Sequence, residues 1–142
     1  MYALNGNKRA FILAGKAFFT VQNELTQNRF TFKVVQGKDR ETGNRIPIHF
    51  VSVFTGTNNN THYSFMGTIF KDGTYKPSMK SMGNLRIPAN ADAVFAWIWK
   101  NLDALPGAIK FYHEGRCGCC GKRLTVPESI LSGYGPQCGG RV

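Results

Sequence analysis

All four cysteines of this 142-residue chain fall between positions 117 and 138. Cys117 and Cys120 form a Cys-x-x-Cys pair backed by Gly121, and Cys138 follows 17 intervening residues later on a second Gly/Pro-rich turn. Such a pattern folds two tight turns toward one point, and tetrahedral zinc is the ion that prefers sulfur and imidazole there. The ligand set read from the sequence is Cys117, Cys120, Cys138 and His113, which lies four residues ahead of the pair. Cys119 is the alternative for the fourth place. Neighbouring residues in a knuckle point different ways, so a third thiolate from this short run would be strained. Without metal, the same residues would be thiols or disulfides. An adjacent Cys119–Cys120 bridge is strained, and disulfides are rare in the cytosol.

A catalytic zinc keeps one position open and a carboxylate base nearby. Only Glu114 and Glu128 are close in sequence, and His113-Glu114 are directly adjacent, unlike the His-x-Glu of zinc deaminases. The zinc is therefore read as structural. Neither a phosphate-cradling G-x-x-x-x-G-K loop nor a G-x-S-x-G elbow occurs. Three histidines, His49, His62 and His113, complete the set, and no motif joins an acid, a base and a nucleophile. The chain is read as non-catalytic.

Charge gives the partner class. The formal net charge is +10, and residues 1–90 carry 12 basic against four acidic side chains. Such an excess favours a polyanion, of which nucleic acid is the commonest. No apolar run reaches the length of a membrane span, and the first residues lack the basic-then-apolar pattern of a secretion signal. The expected location is the cytoplasm.

The expected fold is α+β: an antiparallel sheet, as a meander or partly open barrel, packed by one helix and followed by a zinc-ribbon-like element. The run from Ala10 to Val21, apolar from Phe11 on, reads as a strand bent at Gly15. Arg29 to Val35 alternates with period two, and Ile46–Phe54 and Tyr63–Phe70 follow between polar turns. Gly67 permits a bulge or a close approach. Lys71 to Arg86 reads as an exposed basic ribbon. Asn90 is placed to cap a helix through Leu102, with Trp97 expected in the core and Trp99 less constrained. Ala108 to Tyr112 reads as a short strand, and Thr125-Val-Pro-Glu128 as a capping box opening a helix from Pro127 to Ser132. The domain division is 1–107 for sheet and helix and 108–142 for the zinc element.

The run from Cys117-Gly-Cys-Cys120-Gly through Pro127-Glu-Ser129 to Gly133-Tyr-Gly135-Pro136-Gln-Cys138 resembles a small zinc-ribbon-like domain of unknown function found in many phage and actinobacterial proteins. That domain shares a C-x-x-C-G-x-x-L, a Pro-x-Ser and a Gly-x-Gly-Pro-x-Cys. The resemblance covers about the last quarter of the chain. It implies metal roles for Cys117, Cys120 and Cys138, and it leaves Cys119 outside the shell, because that position is usually not cysteine. Segments near Phe30, Phe50 and Gly67 also look like N-terminal parts of some phage-borne members. A phage or mobile-element origin is implied, and no activity is.

Two functions follow as expectations. The first is non-catalytic nucleic-acid binding, with single strands favoured. Aromatics on a sheet stack bases while cations follow phosphates. The residues assigned to this are Arg29, Lys33, Tyr63, Lys71, Tyr75, Lys76, Lys80 and Arg86, with Tyr63 and Tyr75 as stacking groups and Phe30 and Phe32 assigned to the core. The second is a phage-encoded interaction factor that binds and modulates a host enzyme, such as a polymerase or a defence system, through an acidic partner surface.

Overall fold

The computed structural model describes residues 2–4, 6–56, 62–79 and 87–135. Seven strands form one antiparallel open sheet: β1 (Tyr2–Ala3), β2 (Lys16–Asn23), β3 (Arg29–Lys38), β4 (Arg45–Phe54), β5 (Tyr63–Ile69), β6 (Tyr75–Pro77) and β7 (Ile109–His113). Their spatial order is β1-β7-β2-β3-β4-β5-β6. Strands β2 to β5 follow the expected meander, whereas the stretch read as an exposed ribbon contributes a further short strand, β6, paired with β5; the sheet is open. Among the described residues three α-helices accompany it, α1 (Lys8–Ile12), α2 (Ala91–Lys100) and α3 (Pro127–Ser132), with a 3-10 turn at Leu102–Ala104 after α2.

The period-two pattern assigns the faces. Phe19, Val21, Phe32, Val34, Val51 and Val53 point to one side and are fully or almost fully buried. There they meet Phe11 and Ile12 of α1 and Phe95 and Ile98 of α2. Phe95 is the centre of this layer, with its ring 5.2 Å from Phe32 and 4.7 Å from Tyr75. Each such side chain contributes roughly 1.5–3 kcal/mol by leaving water.

Several expectations are corrected. The run from Ala10 to Val21 is not one strand: it is helix α1, a break at Gly15, then β2. A short apolar run does not distinguish helix from strand. Asn7 decides it, because its side chain accepts from the Ala10 N–H and starts the helix. Gly15 then takes φ +141, and a Cβ there would meet Arg45 and the Cys119 carbonyl.

The tryptophans are exchanged. Trp99 is 6% exposed and donates from its indole to the Gly73 carbonyl, whereas Trp97 is 45% exposed. The buried positions of α2 are Ala91, Phe95, Ile98 and Trp99, so the helix is rotated away from Trp97. Asn90 makes no side-chain cap and takes the left-handed region, at φ 66. Helix α3 spans the expected residues with Pro127 in its first turn, but Val126 is its cap and no side chain closes it.

Strand β7 lies inside the sheet, between β1 and β2. The sheet therefore continues past position 107, and the C-terminal element is joined to it through a central strand.

Candidate nucleic-acid interface and metal knuckle

Among the described residues, the core helices α1 and α2 pack on one face of the sheet, and the opposite face is exposed at Phe50 and Phe65. Cross-strand register sets Phe18 beside Lys33, Lys33 beside Ser52, and Ser52 beside Phe65. The next row carries Lys16, Val35, Phe50, Thr68 and Lys76. Phe50 and Phe65 are each 41% exposed and pack edge to face at 6.1 Å. Tyr63 sits between Phe18 and Phe54, and the Lys33 ammonium lies 5.0 Å from its ring centre. Aromatic rings thus alternate with cations across a curved surface, on which Phe18 of β2 and Tyr63 of β5 meet at 5.8 Å although two strands lie between them. Bases can stack on such rings while the phosphate chain follows the ammonium groups.

Electrostatics tighten this arrangement. Burial pushes the Tyr63 phenol up to about 12, with help from the charge of Glu114 and against that of Arg116, so it stays a neutral donor. Burial, then the charge of Lys16, pulls Lys33 below the ordinary lysine value. Among the described residues neither lysine forms an ion pair with a carboxylate, and two cations held this close favour an anion from outside.

At one end of this face lies a cavity of about 490 Å³, lined by Phe18, Thr20, Arg29, Tyr63, Glu114, Arg116 and Arg123 among others. The Arg116 guanidinium lies 5.1 Å from the Phe18 ring centre, and Arg116 and Arg123 form an isolated antiparallel bridge. Thr20 donates to Glu114, and its hydroxyl also meets that of Thr31 at 2.7 Å.

Of the residues assigned from sequence, Arg29, Lys33, Tyr63 and Lys76 share the open face. Lys71 is exposed on the turn between β5 and β6. Tyr75 does not join them. Its ring packs on Phe95 on the opposite face, and its hydroxyl is buried without a partner. Gly67 explains this: a Cβ there would meet the Tyr75 hydroxyl, so the missing side chain makes the space the ring fills. The β4–β5 register also shifts beside Gly67, giving the expected bulge. Lys80 and Arg86 lie outside the described residues. Sequence reasoning missed Phe18, Phe50, Phe65, Arg116 and Arg123. Strand parity names the first three once pairing is known, whereas nothing local brings the two arginines to the sheet.

The knuckle is built against the other end of the chain. Phe11 of α1 fills the space over Gly118, and Lys16 donates from its backbone to the Gly118 carbonyl at 2.8 Å. Cys117 is fully buried. Burial pushes its thiol up, but the backbone N–H groups of Gly135, Cys120 and Cys119 outweigh that and pull it down overall. These donors favour a thiolate at this position. The Gly135 amide comes from the turn that leads toward Cys138, which itself lies outside the described residues.

His113 is held differently. Its Nδ1 accepts from the Gly115 N–H at 3.0 Å, which leaves the proton on Nε2, facing the Ile130 carbonyl. In this arrangement neither nitrogen offers a lone pair to a metal. The imidazole instead ties α3 and the turn after β7 to the sheet, and Tyr2 stacks on it at 5.6 Å. Among the described residues, no group of three or more His, Cys, Asp or Glu is close enough to hold a metal ion.

Residues 110–142 match a family of unknown function, DUF6011. The matched segment begins inside β7 and contains His113, the knuckle and α3. It therefore includes a strand of the sheet as well as the cysteines. No curated protein and no solved structure matches the chain. Among the described residues, no helix is long and apolar enough to cross a membrane.

Proposed function

We propose that the chain is a non-catalytic nucleic-acid-binding protein that takes a single strand on the open face of its sheet. The observation that carries this is the Lys33 ammonium over Tyr63, set in a surface of exposed Phe50 and Phe65 with Lys16 and Lys76 alongside. A duplex hides its base faces, whereas a single strand offers them for stacking. The test is anisotropy of labelled single-stranded and duplex oligonucleotides across a salt series. Single strands bind more tightly, and the affinity falls steeply with salt. Absence of salt-sensitive binding to either would remove the reading.

In the same reading, a structural zinc is held by Cys117, Cys120 and Cys138. The donor set suits the ion, and the amides aimed at Cys117 favour its thiolate. The engaged nitrogens of His113 favour Cys119 as fourth ligand over His113. Metal analysis of purified protein gives one zinc per chain, lost in Cys120→Ser and retained in His113→Gln. Loss in the histidine variant would restore His113 to the shell. The zinc-ribbon character, the phage origin and a cytoplasmic location in the host belong to this proposal.

One observation favours the second reading, a phage-encoded factor that modulates a host enzyme. An apolar cavity of about 560 Å³ lies beside the exposed Trp97, between α2 and the β2–β3 turn. Pull-down from nuclease-treated lysate with wild type and Trp97→Ala separates the two.

A further inference from the structure

The cavity at the end of the open face holds a combination that phosphate binding alone does not explain. Three guanidinium groups, Arg29, Arg116 and Arg123, line it, and these suit a phosphate. A carboxylate lines it too, that of Glu114. A site that only collected phosphate would exclude an acid, because like charges repel at short range. Here the acid is fixed in place. Thr20, almost completely buried, donates to one of its oxygens, and Thr31 meets the same Thr20 hydroxyl. This chain orients the carboxylate and leaves acceptor sites on both oxygens, since an ionised carboxylate has about four.

We infer that this cavity reads a guanine base of the bound single strand, with Glu114 accepting from its N1–H and N2–H₂ edge and an arginine donating to its O6 and N7. This rests on the single-strand reading above and names the base it selects. Guanine is the base that offers two adjacent donors on one edge and two adjacent acceptors on another. Adenine and cytosine place a ring acceptor beside their amino group, which would face the carboxylate lone pairs. Thymine flanks its single N–H with two carbonyls. Arginine to O6 and N7 is the commonest base-specific contact to guanine, and a bidentate pair discriminates strongly. Tyr63 and the Arg116 plane over Phe18 supply the stacking surfaces, and the volume of about 490 Å³ lies in the range of sites that take such ligands.

The experiment uses the full chain and thymidine oligonucleotides of equal length carrying one central guanosine, inosine, adenosine or cytidine. Anisotropy titrations give guanosine about ten-fold tighter binding than adenosine or cytidine, from the worth of one bidentate pair. Inosine, which lacks the 2-amino group, falls between them. Glu114→Gln can still accept from Thr20 but loses one acceptor, so it abolishes the guanosine preference while keeping salt-sensitive binding. Equal affinity for all four central bases overturns the inference and leaves the single-strand reading standing, as does a Glu114→Gln variant with its preference intact. Absence of salt-sensitive binding to every oligonucleotide overturns both.

Discussion

Arg45 of β4 grips the backbone of Cys119: its Nη2 donates to the Cys119 carbonyl at 3.0 Å, while Nη1 donates to the Ala14 carbonyl at 2.9 Å. One planar group thus ties the start of β4, the α1–β2 turn and the knuckle together. Arg45→Ala should lower stability by about 1.5–3 kcal/mol, the scale of charge-assisted hydrogen bonds. Arg45→Lys should not rescue it, because an ammonium cannot span both carbonyls as a fork does. Urea denaturation midpoints check this, and an unchanged midpoint in the alanine variant would count against the clamp.

Tyr75 offers the opposite case. Its hydroxyl is buried with no hydrogen-bond partner. Tyr75→Phe removes a group whose desolvation is not repaid, so stability should rise by about 1 kcal/mol. Oligonucleotide affinity should stay at the wild-type value, since the ring packs on Phe95 away from the open face. Thermal melts and anisotropy on one preparation test both halves. A fall in affinity would return Tyr75 to the interface.

Salt dependence separates the cations. Each phosphate contact on a single strand contributes about 0.7 to the slope of log affinity against log salt. Lys33→Ala should make that slope shallower by about 0.7, because its ammonium lies over the Tyr63 stacking surface. Lys71→Ala, on the turn beyond β5, should change it less. Equal effects would mean that the charge acts diffusely rather than through the sheet face.

Acid should weaken the fold near neutrality. Burial holds His49 below its ordinary value of 6.5, against the raising effect of its bond to the Leu13 carbonyl and together with the charge of Arg45. His113 is likewise held down by burial. In the unfolded chain both titrate near 6.5, so below that pH the unfolded state binds more protons. Their contribution is complete above about 6.5 and is lost as pH falls toward the lower folded values. Denaturation midpoints at pH 7.5 and 5.5, taken as about one unit either side, should differ, with the acid value lower. His49→Gln should flatten part of that difference.

Much of the architecture is written locally. The alternation from Arg29 to Val35 specifies a strand with one wet face, and Pro127 marks the start of α3 correctly. Trp97 and Trp99 are not distinguished locally, because both fall within a broad apolar arc and the contact that selects Trp99, the Gly73 carbonyl, lies 26 residues away. Phe11 and Ile12 sit in a run whose composition suits either element. For the site, Arg29, Lys33 and Tyr63 follow from charge and aromatic placement in the strands, and Lys76 from the charge of a stretch that reads as a ribbon and folds as β6. Arg116, Arg123 and Glu114 reach the same face only because β7 returns to the sheet, a pairing between positions 109–113 and 19–23 that no local pattern encodes.

That late return sets an order of events during synthesis. Until residue 113 has emerged, β2 presents a bare edge carrying Phe19 and Val21, and β1 has no neighbour to join. Pairings so distant in the chain form slowly, and unsatisfied strand edges invite association with other chains. A nascent chain halted at position 107 would hold every residue of the meander and still lack the strand that seals it, so the cysteine-bearing end acts as the closing stitch of the whole sheet.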